Sequence, residues 1–481
     1  MPEFIDEIID PHFLEYSDAK VRLGALSEKV QLDLLRLDYP KEDWVPPFQH
    51  HLGTSVFDVV IVGAGQGGLA AGLALWRERI RNILIIDQAK EGSEGPWLTF
   101  ARMKTLRTPK YLTGPDTGIP DLTFNAWYSA RFSSPEWSDV LRIPREMWMA
   151  YLRWFRASLD LPIKNGTRLI SVLPDVPGCL ALMLEGPNGI QKVFTRKLIL
   201  ANGLEGSGRW HVPPDLSAHL PTNLWMHTSD IKDFSTMQGK RVGVLGVGAS
   251  AVDSAATAAE AGASQVDLFY RRPLPPYGER RKWVENNGFL SHFASLPDAV
   301  RWRGMHVYLR AGTPAPKWSM ERLLAQQNVQ IHQSEGWSKT RFRNGTVEVT
   351  TSKSSYEFDR LIFGTGIRVD LEVRPELSAF AGKIASWGDC YDAPEFLRDR
   401  TMSLYPYLGL GAELTERVPG MAPHLAAIHV FNWGATLSMG ISSASITGMK
   451  FGLRRIIAGI TNDFYKEIAE AHIASFPKGP D

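Results

Sequence analysis

The chain has 481 residues, 44% of them hydrophobic and 22% charged, the make-up of an ordinary globular protein with room for two or three domain cores. Its 53 basic and 52 acidic side chains leave a formal net charge of +1, so the clustered basic surplus of a nucleic-acid-binding protein is missing. Two cysteines, Cys179 and Cys390, lie far apart with no C-x-x-C spacing, which excludes a disulfide framework and a dithiol redox motif and points to a reducing, cytoplasmic setting.

The N-terminal Met1–Glu7 is acidic and lacks the basic-then-apolar order of a signal peptide. Leu26, Val30, Leu34 and Leu37 recur at helical spacing and predict an amphipathic helix, ended by Pro40 and the Pro-rich run at 44–47. Residues 1–54 therefore read as a mostly helical extension. Next comes a strand at 57–62, a Gly-rich turn, a helix at 69–79 and a strand at 83–86, which is a β-α-β unit. The same grammar returns with a strand at 241–245, a helix at 250–261 and a strand at 266–270. Short strands at 197–201 and 360–363 each run into a glycine turn, as segments that carry a chain between two adjacent Rossmann-type domains do. Residues 273–330, rich in Pro, Arg and Trp, break the pattern and read as an insertion. The expected fold class is α/β with two Rossmann-like dinucleotide-binding domains. From Val418 to Met449 there is no Lys, Arg, Asp or Glu, yet two histidines and many hydroxyl residues favour a buried segment beside a cofactor over a membrane span.

The first fingerprint is Gly63-Ala64-Gly65-Gln66-Gly67-Gly68. Gly63 suits the tight turn, Gly65 the close approach of a pyrophosphate, and Gly68 the packing of helix on strand. Asp87, 24 residues after Gly63, ends the second strand where a carboxylate can accept bonds from ribose hydroxyls. That set predicts FAD. The second fingerprint, Gly246-Val247-Gly248-Ala249-Ser250-Ala251, carries Ala251 in the permitted third place. Here the slot equivalent to Asp87 holds Arg271, followed by Arg272. An acid there would repel a 2′-phosphate, whereas a guanidinium can grip it, so this site predicts NADPH. A solvated strand end is the plainer reading of both arginines. Two dinucleotide sites of opposite ribose chemistry imply hydride passing from NADPH to a flavin.

On these loops, the linker Leu220–Phe234 and Gly364-Thr365-Gly366, the chain resembles the flavin-dependent monooxygenases of the two-Rossmann (class B) type: microsomal-type flavin monooxygenases, Baeyer–Villiger monooxygenases and N-hydroxylases. The resemblance covers roughly residues 55–465. The family's linker signature, Phe-x-Gly-x-x-x-His-(Ser/Thr), is kept at His227-Thr228 but has Pro221 and Asn223 in place of its Phe and Gly. By resemblance, Glu94-Gly95-Pro96-Trp97 and Met103–Lys110 fold over the flavin, which places Trp97 and Lys110 at the cofactor. Aligning on Lys110 puts Arg107 where microsomal-type members have a catalytic Asn; a structural salt bridge is the other reading of that arginine. Gly366 and the His429–Ala435 stretch, with Asn432 and Gly434, resemble segments that close the FAD site, and a buried core loop is the alternative for the latter.

The resemblance implies an FAD domain at about 55–215 plus 358–465, an NADPH domain at about 216–357, and a tail at 466–481. It implies a monooxygenase that takes one oxygen atom from dioxygen through a peroxy-flavin into a small organic substrate, most naturally by N- or S-oxygenation. Alternatives are Baeyer–Villiger oxygenation, an NADPH oxidase or flavin reductase releasing hydrogen peroxide, and a non-catalytic dinucleotide-binding redox sensor. Expected partners are the small-molecule substrate and dioxygen, with no nucleic acid, no stable membrane insertion and a possible homodimer. No metal site and no G-x-S-x-G elbow is visible in the sequence.

Overall fold

A computed structural model describes residues 18–37, 40–112, 114–132, 136–272, 283–442 and 445–476. The N-terminal helix α1 (Ala19–Leu37) buries Leu26 and Val30, as their spacing predicts, while Leu37 at the frayed end stays exposed. It is pinned to the body by Arg22, which donates to the Ala130 carbonyl (2.7 Å), and by Ser27, which shares a hydrogen bond with Ser158 (2.8 Å).

The first sheet starts from β1 (Val56–Val62), helix α2 (Gln66–Arg77) and β2 (Ile83–Ile86), with β1 and β2 in parallel register. Helix α2 begins a turn earlier than the periodicity predicts because Gly65 serves as its N-cap, and it ends before Arg79, whose φ of +62° leaves the helical region. Helices α3 (Phe124–Phe132) and α4 (Arg145–Leu159) follow, then β3 (Ile163–Lys164), β4 (Arg168–Pro174), β5 (Leu180–Gly186) and β6 (Gly189–Leu200). The strand order is β3-β2-β1-β6-β5-β4. The sequence predicts only the apolar end of β6. Its polar first half pairs antiparallel with β5 and is exposed, while its apolar second half pairs parallel with β1 and is buried.

The chain leaves this sheet through β7 (Gly208–Trp210), a short helix α5 (Pro214–Ser217) and β8 (Trp225–His227). The second unit then runs through β9 (Arg241–Leu245), α6 (Ala249–Glu260) and β10 (Gln265–Tyr270). Helices α7 (Asn287–His292), α8 (Asp298–Ala311) and α9 (Lys317–Leu324) lead to β11 (Val329–Gln333). A three-stranded antiparallel sheet, β12 (Trp337–Arg343), β13 (Thr346–Thr351) and β14 (Ser355–Phe358), precedes β15 (Arg360–Phe363). The second sheet, β11-β10-β9-β15-β8, is parallel throughout. Strand β16 (Ile367–Val369) returns antiparallel to β7, so the outgoing and returning chains form one two-stranded connection.

The rest completes the first unit: α10 (Trp387–Cys390), β17 (Ile428–Val430) beside β6, α11 (Thr436–Met439) and the long α12 (Met449–Ala474). The segment read as an insertion divides in two. Its 273–282 part lies outside the described residues. Helix α8 inserts Trp302 and Met305 among Trp387, Tyr405 and Leu437, and Trp302 donates to the Leu397 carbonyl (2.9 Å), so α8 caps the first unit. Helix α9 instead packs on α6 as the crossover to β11. The tail expected from 466 is helical to Ala474, and 477–481 lie outside the described residues. No helix among the described residues is long and apolar enough to cross a membrane.

Candidate functional site

The two outer glycines of the first fingerprint are required by the backbone. Gly63 has φ +106°, and a Cβ on it would lie 2.5 Å from the Ala201 carbonyl oxygen at the end of β6. A Cβ on Gly68 would lie 1.7 Å from the Gly63 carbonyl oxygen. Gly65 differs. Its nearest neighbours would be Gly95 atoms at 3.9–4.0 Å, so protein leaves space at the N-terminus of a 12-residue helix, where free N–H groups and the dipole favour an anion. This open cradle fits the pyrophosphate of FAD.

Asp87 is buried at the end of β2 and ties the loop down: its carboxylate accepts from the Ala64 N–H (2.7 Å) and the Ala89 N–H (2.8 Å). A carboxylate has about four acceptor positions, so capacity for a ribose hydroxyl remains. Trp97 is buried edge-on against Trp148 (6.3 Å), whose indole donates to the Gln66 side chain (3.1 Å) just past Gly65. Phe431 lies against Gly67, and Asn432 joins the end of β6 through Asn202 (2.8 Å) while capping the turn at Gly434 (2.8 Å). The structure thus gathers Gly63, Gly65, Gly68, Asp87, Trp97, Asn432 and Gly434 around one loop. Lys110 is directed elsewhere: its ammonium donates to the Trp137 and Ser138 carbonyls and sits 4.8 Å from the Trp137 ring. It borders a cavity of about 260 Å³ walled by Phe124, Trp137, Trp148 and Tyr151, with Asp116 at its edge.

Arg107 forms a salt bridge. Its guanidinium meets Asp253 at 3.2 Å, joining the segment after β2 to helix α6 of the other unit. No sequence motif marks Asp253, although it is the one carboxylate in the first three turns of an alanine-rich helix. Its side chain is 2% exposed, and its other oxygen lies 3.8 Å from Arg322. Removing one partner of a buried pair costs about 3–5 kcal/mol because the other charge is left uncompensated. Asp253→Ala should therefore lower the melting temperature sharply, and the double change Arg107→Met with Asp253→Leu should recover most of the loss. Thermal melts of the three proteins decide this; equal stability of wild type and Asp253→Ala would contradict it.

The second glycine loop repeats the geometry of the first. Gly246 has φ +122°, and a Cβ there would meet the Gly364 carbonyl oxygen at 2.4 Å; a Cβ on Gly364 would in turn lie 2.3 Å from the Ala251 Cβ. Gly248 is the N-cap of α6, Ala251 is buried and Ser250 is exposed. One feature has no counterpart at the first loop: Gly248 pairs with Pro314, and the Ala249 N–H donates to the Thr313 carbonyl (3.0 Å). Arg271 and Arg272 follow β10 and are exposed. The Arg271 stem crosses Gly336, and Arg272 donates to the Arg310 carbonyl (2.9 Å).

His227 and Thr228 end β8 beside the two-stranded connection. The Thr228 N–H donates to the Phe363 carbonyl (3.1 Å), and the His227 ring shares a hydrogen bond with Ser229 (2.7 Å) beside Trp210. Gly366, with φ +81°, accepts from the His211 N–H (2.9 Å). Burial pushes His227 down to about 4, with Asp230 opposing and His211 assisting, and burial also holds His429 at about 4. Both are neutral in the fold but free to protonate when unfolded, so stability is lost as pH falls from about 6.5 toward 4. Linkage puts this at up to about 3 kcal/mol for each. Urea midpoints at pH 7, 5.5 and 4.5 should fall in that order, and His227→Gln should flatten the slope; an unchanged slope would contradict it.

His50, Asp175 and Cys179 place possible ligand atoms within 4.8 Å of one another. There His50 already bonds Asp175 (2.8 Å) and accepts from the Leu52 N–H (3.3 Å), and burial pushes the Cys179 thiol up to about 11. That is an anchor for residues 50–54.

Two sheets, each with a parallel β-α-β core and a glycine loop feeding a helix, define an oxidoreductase of the two-dinucleotide flavoprotein class. A family model described as pyridine nucleotide-disulphide oxidoreductase matches residues 60–283. A FAD-dependent urate hydroxylase of Xanthomonas campestris pv. campestris is 39% identical over 457 residues, covering 94% of this chain and 95% of that protein. The chain belongs to this family of FAD-dependent hydroxylases and monooxygenases. In fold it is similar to the ornithine hydroxylase of Pseudomonas aeruginosa, with TM-score 0.67 and 16% identity over 85% of this chain and 99% of that one. The L-lysine 6-monooxygenase of Pseudomonas syringae gives 0.63 and 18%, over 84% and 99%.

Proposed function

We propose that this chain uses FAD and NADPH to hydroxylate urate, or a closely related planar N-heterocycle, at carbon. The observation that carries this reading is end-to-end likeness, at 39% identity, to a urate hydroxylase. The balance is one NADPH, one proton, one dioxygen and one substrate giving NADP⁺, water and the hydroxylated product. FAD, when bound, supplies hydride acceptance and activation of dioxygen. The chain's own part is to hold and enclose. Gly63, Gly65, Gly68 and Asp87 hold the FAD diphosphate and ribose, and Trp97, Asn432 and Gly434 close over that loop. Gly246, Gly248, Ser250 and Ala251 receive the NADPH diphosphate, with Arg271 and Arg272 on its 2′-phosphate; His227, Thr228 and Gly366 set the linker between the units. The aromatic cavity beside Lys110 suits a flat ring, and its ammonium suits a heterocycle that ionises. Arg107 acts through Asp253, holding the segment over the flavin in place, rather than as a catalytic group. We assign the FAD domain to about 55–215 plus 358–465 and the NADPH domain to about 216–357.

N- or S-oxygenation is the second reading, because the solved structures of like fold are hydroxylases of ornithine and lysine. The test is mass analysis of products after turnover with NADPH and dioxygen on urate, an alkyl amine and a sulfide. Urate gaining one oxygen supports the first reading. Oxygen appearing only on the amine or sulfide moves the assignment to the second.

A further inference from the structure

A second cavity, of about 640 Å³, lies on the seam between the two units, and neither glycine loop contributes to its walls. Its floor is apolar, made by Trp127 and Phe132 of α3 and Met147 and Ala150 of α4. Its rim is basic: Arg102, Lys104, Arg131 and Arg145 from the first unit, and Arg322 from α9 of the second. Lys104, Arg145 and Arg322 already meet carboxylates, the buried Asp253 (3.8 Å from Arg322) among them. Glu260 is held by Arg322 (2.7 Å) and Lys104 (3.2 Å), and Glu146 by Arg145 (2.6 Å).

Among the described residues Arg102 meets no carboxylate. It donates to the Thr99 (2.8 Å) and Lys232 (3.2 Å) carbonyls and lies 4.8 Å from the Phe234 ring. Burial and the nearby Arg145 push its basicity below the usual range, as expected for a guanidinium beside a like charge. An apolar floor beside Arg102, which meets no carboxylate among the described residues, matches one ligand chemistry: an anionic head on a flat apolar body.

We propose that this seam cleft binds a small aromatic organic acid, with its carboxylate between Arg102 and Arg145 and its ring over Met147 and Ala150. Occupancy joins the α3–α4 floor to the α6–α9 wall and adds to the ion pairs that already cross the seam. Its wall includes Met103–Thr105, the near end of the segment assigned over the flavin, but none of the residues assigned to hold FAD, NADPH or substrate.

The probe is 2-naphthoate, titrated calorimetrically into the FAD-loaded protein, with the neutral isostere 2-naphthamide as its partner. One naphthoate should bind per chain, and naphthamide at least tenfold more weakly. Arg102→Gln and Arg145→Gln should each weaken naphthoate at least tenfold and leave naphthamide unchanged. Ala150→Phe fills the floor without altering charge and should abolish both, so the proposal stays testable if an arginine variant loses its flavin or its melting transition. Failure of naphthoate to bind overturns it. So does equal affinity for acid and amide, unchanged affinity in both arginine variants, or unchanged affinity in Ala150→Phe.

Discussion

Gly65→Val should give a folded but colourless protein, whereas Gly68→Ala should give little folded protein at all. Both lie in one six-residue loop, and the contrast comes from what each missing side chain would meet. At Gly68 a Cβ would sit 1.7 Å from the Gly63 carbonyl oxygen, a backbone atom that no rotamer change can move aside. Relieving it would shift the crossing of β1 and α2, which forms the centre of the first sheet. Overpacking a side-chain site already costs about 1–3 kcal/mol, and a backbone clash more, against a total stability of about 5–15 kcal/mol. At Gly65 the φ of −69° suits any residue and the nearest protein atoms are 3.9 Å away. Valine would fill only the space assigned to the pyrophosphate. Far-UV circular dichroism with the flavin absorbance per chain separates the cases. Full flavin content in Gly65→Val would contradict the cradle, and a wild-type melt for Gly68→Ala would contradict the packing argument.

Arg271→Ala should raise the KM for NADPH about tenfold to a hundredfold and leave NADH nearly untouched. A charge-assisted hydrogen bond contributes about 1.5–3 kcal/mol, and each 1.4 kcal/mol is about tenfold. Among the described residues neither Arg271 nor Arg272 is in an ion pair, and both are exposed at the end of β10, as a phosphate-binding pair should be. Their situations differ. Arg272 is tied to the Arg310 carbonyl (2.9 Å), while the Arg271 stem passes over Gly336. Arg272→Ala should therefore have the smaller effect, and flavin content should change in neither variant. Steady-state kinetics with both nicotinamides checks this. Equal use of NADH and NADPH by the wild type would remove the arginines from the assignment.

Much of this was legible in the sequence because its signals are local. A glycine that must adopt positive φ, an apolar four-residue strand and an alanine-rich helix are dictated by neighbours in the chain. Hence both β-α-β units and Gly63, Gly68 and Gly246 could be placed from spacing alone. What escaped depends on distant partners. The sequence marks only the last third of β6, because its first half is polar and exposed and pairs with β5. The composition of 273–330 suggests one insertion, since composition cannot show that α8 packs on Trp387 and α9 on α6. The resemblance puts Arg107 and Lys110 at the flavin, whereas in the structure Arg107 meets Asp253 and Lys110 donates to the Trp137 and Ser138 carbonyls. No sequence spacing relates residues 107 and 253. The Thr313 carbonyl on the Ala249 N–H is a backbone contact and leaves no residue-type signature.

If NADPH electrons are committed to oxygenation, as proposed, the coupling of cofactor use to product shows it. Purified FAD-loaded enzyme is given NADPH, dioxygen and urate, and three quantities are followed together: NADPH consumed, hydrogen peroxide released and hydroxylated urate formed. The account predicts product approaching NADPH one for one, with peroxide a small remainder. Peroxide matching NADPH one for one with urate, and equally with an amine, a sulfide and a ketone, would contradict it and make the chain an NADPH oxidase.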